Sequence, residues 1–168
     1  ASGINGFLVF DFFSVDGTNW NNTGASTGSR FYSGFMNNSN TATIGGTDNP
    51  SVQRAAFMRA HVDGGLTESN WYFSTRDATT ENRVDTLVPF GDNGDQYCAM
   101  IACAPQGSTI YYAIKNLTDN VDSGVLNTSS NLPQSTTGLL HMTGFYNVDA
   151  VSRVMGWKKC NIYQRNLI

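Results

Sequence analysis

The chain is short of charge. Asp, Glu, Lys and Arg make up only 14% of its 168 residues, against about a quarter in an ordinary globular domain. The ten basic residues are scattered and the net charge is −3. No basic stripe exists, so the electrostatic footprint of a nucleic-acid binder is missing. No apolar run approaches the ~20 residues of a membrane-spanning helix, and membrane insertion is not expected. The opening, ASGINGFLVFDFF, has neither the basic start nor the clean apolar centre of a secretory leader.

Cysteine and histidine are scarce too. Cys98, Cys103 and Cys160 are odd in number and form no C-x-x-C knuckle. Cys98 and Cys103 lie five apart in one apolar run, on opposite faces of a strand, where they cannot easily bridge. Free buried thiols are expected, in a chain made under reducing conditions. His61 and His141 are the only histidines. They form no H-x-x-x-H pair and no G-x-S-x-G elbow is present, so both read as structural or surface residues. No metal ligand set and no catalytic residue stand out. Glutamate occurs twice, Glu68 and Glu81, both in turn-like contexts. No strand carries acids at i and i+2, the spacing a glycosidase couple would use.

What the chain has instead is Asn, Ser, Thr and 17 glycines around an apolar fraction of 40%. Asn and Gly suit tight hairpins, and surface helices draw on other residues. Apolar runs recur every 8–15 residues or so between turn signals: NGFLVFDFFSV, RFYSGFM, VQRAAFMRAHV, NWYFSTR, RVDTLVPF, QYCAMIACA, TIYYAIKNL, LLHMTGFYNV and RVMGWKKCNIYQRNL. The stretch 118–138 reads as a long polar connection. This rhythm predicts one all-β sandwich over residues 1–168 with no βαβ units. Four Asn-x-Ser/Thr sequons, at Asn21, Asn37, Asn116 and Asn127, would matter only in a eukaryotic secretory pathway.

Two blocks carry a resemblance. Asn70-Trp71, Val84-Asp85-Thr86, Tyr97 and Ile110–Asn116 run in the order found in carboxy-terminal domains of tailed-phage tail fibres and related virion proteins. The closing Ile162-Tyr163-Gln164-Arg165-Asn166-Leu167 resembles the last strand of laminin-G-like and legume-lectin-like jelly rolls. Together the blocks cover about half the chain. The resemblance implies an antiparallel, lectin-like jelly-roll sandwich. It also implies an extracellular or virion recognition module that binds cell-surface glycans or a host receptor, usually as a homotrimer. No attachment segment or shaft repeat resembles the rest of a fibre. A structural virion protein, such as a capsid decoration or coat component, is the alternative, and a glycoside hydrolase or polysaccharide lyase the third reading.

Candidate ligand-binding residues follow from strand alternation and loop chemistry. Trp71 and Phe73 share one face and are expected in the core, which leaves Tyr72 facing outward. Arg76 and Asp77 read as a hairpin-end ion pair. Asp92, Asn93 and Asp95 supply hard oxygen donors in one loop, a set that suits Ca²⁺ but lacks EF-hand spacing; a plain turn explains it as well. Trp20, in a polar loop, offers a stacking face for a sugar ring. Trp157 is expected on the face of Met155 and Lys159.

Overall fold

A computed structural model describes residues 6–16, 29–38, 50–59, 61–62, 66–67, 69–91, 94–147 and 154–165. Among these the regular structure is entirely strand: β1 (Gly6–Asp16), β2 (Ser29–Met36), β3 (Arg54–Arg59), β4 (His61–Val62), β5 (Leu66–Thr67), β6 (Asn70–Arg76), β7 (Glu81–Pro89), β8 (Asp95–Cys103), β9 (Ile110–Asn116), β10 (Val121–Asp122), β11 (Leu126–Thr128), β12 (Leu140–Asn147) and β13 (Val154–Arg165). The first sheet runs β10-β9-β8-β1-β13, with β11 also on β9. The second runs β12-β2-β3-β6-β7, and β4 and β5 form a small separate pair. Each neighbouring pair is antiparallel. The expected all-β, antiparallel jelly-roll sandwich is the fold observed.

Alternation explains how the sheets meet. In β1, Val9, Phe13 and Val15 point inward and are buried, while Leu8, Phe10 and Phe12 point to the other face and are only half-buried. Trp71 and Phe73 on β6 are fully buried, as their alternation requires. Trp71 sits edge-on to Phe31 at 4.9 Å between centroids and also meets Tyr97 of the opposite sheet at 5.3 Å. Phe73 stacks on Tyr112 at 3.8 Å and 10°. These rings join the two sheets, and truncating one typically costs about 3–5 kcal/mol. On the outer side of the second sheet a smaller cluster gathers Tyr32, Met36, Val52, Ala56 and Met58, with Tyr72 and Met142 against it. Gly34 lets β2 approach β3 there. Its φ is +146°, and a Cβ would stand 2.6 Å from the Ala55 carbonyl oxygen and the Ala56 Cα.

Several local expectations need correction. The polar stretch after β9 contains β10 and β11, which pair with β9; they cap its free edge despite weak strand propensity. Glu81 is not in a turn but begins β7. The three cysteines are free but half-buried rather than buried. Arg76 and Asp77 do end a hairpin, yet the fastening is an Asx turn: the Asp77 carboxylate accepts the N–H groups of Thr79 and Thr80, each at 2.7 Å. Those two bonds, ahead of the nearby Arg76 charge, hold its carboxyl below the usual carboxylate range. Finally, the ladder of β1 with β13 breaks between Phe12 and Phe13, whose partners are Lys159 and Trp157. Lys158 is the extra residue of a β-bulge. Trp157 therefore leaves the face of Lys159 and joins the inward side.

Candidate functional site

The outer face of the first sheet is a surface of aromatic and neutral side chains with lysines at one end. Register places Tyr163, Leu8, Ala102 and Tyr111 in one row across β13, β1, β8 and β9. The next row is Asn161, Phe10, Met100 and Ala113, and the third is Lys159, Phe12, Cys98 and Lys115. Tyr163 is 60% exposed and Tyr111 45%, so both rings stand clear of a half-buried apolar floor. At about 4.8 Å per strand they are roughly 14 Å apart. Two shallow hollows open beside β13. One, of about 280 Å³, is lined by Phe12 and Leu117 together with Gln96, Lys158, Lys159 and Asn161. The other, of about 230 Å³, lies among Leu8, Pro105, Tyr163 and Gln164. Aromatic rings beside amide donors and acceptors are the chemistry that holds a hydroxylated ring.

A second cluster lies between the sheets. Asp11 on β1 is a buried carboxylate, 2% exposed. Its Oδ2 accepts the Ser33 hydroxyl at 2.7 Å and the Thr143 hydroxyl, and its Oδ1 accepts the Trp157 indole N–H at 3.0 Å. His141 of β12 brings Nε2 to 3.7 Å from Oδ2. Cys160 of β13 sets its Sγ 3.8 Å from Nδ1 and 3.9 Å from Nε2 of that ring. Burial lowers the His141 pKa against the pull of Asp11. Burial, and then the Asp11 charge, raises that of the Cys160 thiol. These three residues are the described group able to hold a metal ion.

The bulge makes this cluster possible. Trp157 and Cys160 are three residues apart, which in a regular strand puts them on opposite faces. The extra Lys158 lets both address Asp11. Sequence spacing misses the trio because its members come from three strands. One signal was present: Asp11 is the sole charge in the inward set Phe7, Val9, Asp11, Phe13 and Val15, and a buried charge requires partners.

Of the residues singled out in the sequence, Trp20, Asp92 and Asn93 lie outside the described residues. Tyr72 faces outward as expected, but on the second sheet, partly buried against the Tyr32–Met58 cluster. Asp95 begins β8, and its Oδ2 accepts the Asn116 side-chain N–H at 2.9 Å. It also lies 3.4 Å from the Tyr97 hydroxyl, which accepts the Gly91 N–H at 2.7 Å. Burial pushes the Tyr97 pKa up to about 12. Asp95 thus braces a loop end from within. Tyr72 and Asp95 sit on different sheets, and the tyrosines of the outer face, Tyr111 and Tyr163, were not among the candidates.

No protein-family model matches the chain, and no curated protein matches it. Among solved structures 22 chains match. One is peanut lectin with the 9mer peptide PVIWSSATG: its TM-score is 0.46, its sequence identity 11%, and the match covers 77% of this chain. The chain spans 60% of the length of that lectin chain.

Proposed function

We propose that this chain is a non-enzymatic recognition domain that takes a cell-surface glycan on the outer face of its first sheet, displayed on a virion or otherwise outside cells. The observation that carries the reading is the exposed pair Tyr163 and Tyr111 in one row of a face that also carries Asn161 and Gln96. Pyranose rings present apolar C–H faces to aromatics and hydroxyls to amides, and such a ligand needs no charge. The virion setting rests on the tail-fibre resemblance of the Asn70–Asn116 block. The non-enzymatic reading is supported by the use already made of two acids: Asp11 and Glu81 are both committed to internal donors.

The test is a glycan array on folded protein, followed by titration of any hit. Tyr163→Ala is expected to weaken binding roughly tenfold, the equivalent of ~1.4 kcal/mol of lost stacking, with an unchanged melting temperature. Trp20→Ala in the same assay tests the loop candidate. An array without a hit, or full affinity in Tyr163→Ala, removes this face from consideration. A second reading, a structural virion component, is favoured by the apolar centre of the same face, Leu8, Phe10, Phe12 and Met100, all half-exposed. Sedimentation of the protein beside Phe10→Glu separates the two: an oligomer that the substitution disperses places this face at an interface and supports assembly, and a monomer opposes it.

A further inference from the structure

Asp11, His141 and Cys160 lie on β1, β12 and β13 respectively, at the side of the sandwich where the two sheets end. Their ligand atoms all fall within 4.8 Å of one another. Zinc bonds of about 2.0 Å to nitrogen or oxygen and about 2.3 Å to sulfur, at tetrahedral angles, put neighbouring ligand atoms roughly 3.3–3.6 Å apart. One ring nitrogen serves the ion, and from His141 Nε2 the distances are 3.7 Å to Asp11 Oδ2 and 3.9 Å to Cys160 Sγ, a few tenths of an ångström longer. On binding, the three side chains draw together around the ion.

We propose that Asp11, His141 and Cys160 form a binding site for a borderline-soft divalent transition metal ion of the Zn²⁺ type, with a water molecule as fourth ligand. One thiolate, one imidazole and one carboxylate select such an ion over Ca²⁺ or Mg²⁺, which take oxygen alone. The outer shell is already in place: Trp157 holds Oδ1 of Asp11, and Ser33 and Thr143 hold Oδ2. One of these two hydroxyls rotates away when the ion takes a lone pair of Oδ2. His141 and Cys160 are only half-buried, so the trio is not sealed from solvent. On binding, the Cys160 thiol releases its proton to solvent and the ion takes the thiolate. The site is independent of the outer-sheet surface, so either can fail without the other.

Chelator-treated protein titrated with Co²⁺ is expected to take up one equivalent. A thiolate-to-cobalt charge-transfer band should appear in the near ultraviolet and be displaced by Zn²⁺. Cys160→Ser should abolish the band, while Cys98→Ser and Cys103→Ser keep it. A measurement on the unaltered chain guards against a variant that does not fold: Zn²⁺ should slow iodoacetamide labelling of Cys160 at least tenfold, read by peptide mass spectrometry. Failure to bind either ion, a band that survives Cys160→Ser, or a Cys160 labelling rate indifferent to Zn²⁺ each overturns the proposal and leaves the trio as a metal-free polar clasp.

Discussion

Arg54 carries its charge with none of its side chain exposed. Nε donates to Ser74 at 2.8 Å, Nη1 to the carbonyl of Pro50 at 2.5 Å and Nη2 to Glu81. Ser74 donates to the same Glu81 oxygen at 2.6 Å, and Arg83 reaches it at 3.2 Å. Burial lowers the Arg54 pKa, and the Glu81 charge works against that. For Glu81, burial alone would raise the carboxyl; Arg54, Ser74 and Arg83 outweigh it and hold it below its usual value. A carboxyl lowered in the folded state stabilises the fold above its unfolded pKa and loses that contribution as pH falls through the folded one. Glu81→Gln should therefore cost about 3–5 kcal/mol near neutral pH, since it strands a buried cation. It should also flatten the acid limb. Urea midpoints measured between about pH 3 and pH 7 check this, and parallel pH profiles for the two proteins would refute it. Little of this network was legible in the sequence. Glu81 looked like a turn residue because it follows the polar run Asp77–Thr80, and nothing local reveals that Arg54, 27 positions earlier, needs it.

For single strands, alternation read the sequence well where strands are regular and failed where one is not. Trp71, Tyr72 and Phe73 fall on the faces their order dictates. Met155, Trp157 and Lys159 do not, because the bulge at Lys158 is set by cross-strand pairing; Gly156 inside the strand hints at an irregularity but does not say which residue is the extra one. Deleting Lys158 restores an even register and forces either Trp157 or Cys160 away from Asp11. Expected outcomes are a shift in tryptophan emission or a several-fold faster reaction of Cys160 with a thiol reagent. A folded deletion variant unchanged in both would show that the bulge does not place these side chains.

At the scale of the molecule, the sequence indicated two antiparallel sheets but not their order. Partners such as β1 and β13, or β2 and β12, lie far apart in the chain, and hydrophobic pattern does not name a partner. The outer-face tyrosines were missed for the same reason: Tyr111 and Tyr163 become one surface only through the intervening β8 and β1. The sheet order predicts a protection map. Backbone amides of β1, β8, β2, β3 and β6, paired on both sides, should exchange slowest, and those of the short β10 and β11 fastest. Hydrogen exchange followed by mass spectrometry tests it; equal protection throughout would contradict the order. The pairing of Gly6 with Arg165 at one end of the β1–β13 ladder also has a mechanical consequence. Tension applied through flanking chain at both of these residues would peel the ladder open one rung at a time, not shear all its rungs together. Load borne through one end alone would leave the ladder unstressed. The sandwich is therefore mechanically weak along the line through Gly6 and Arg165.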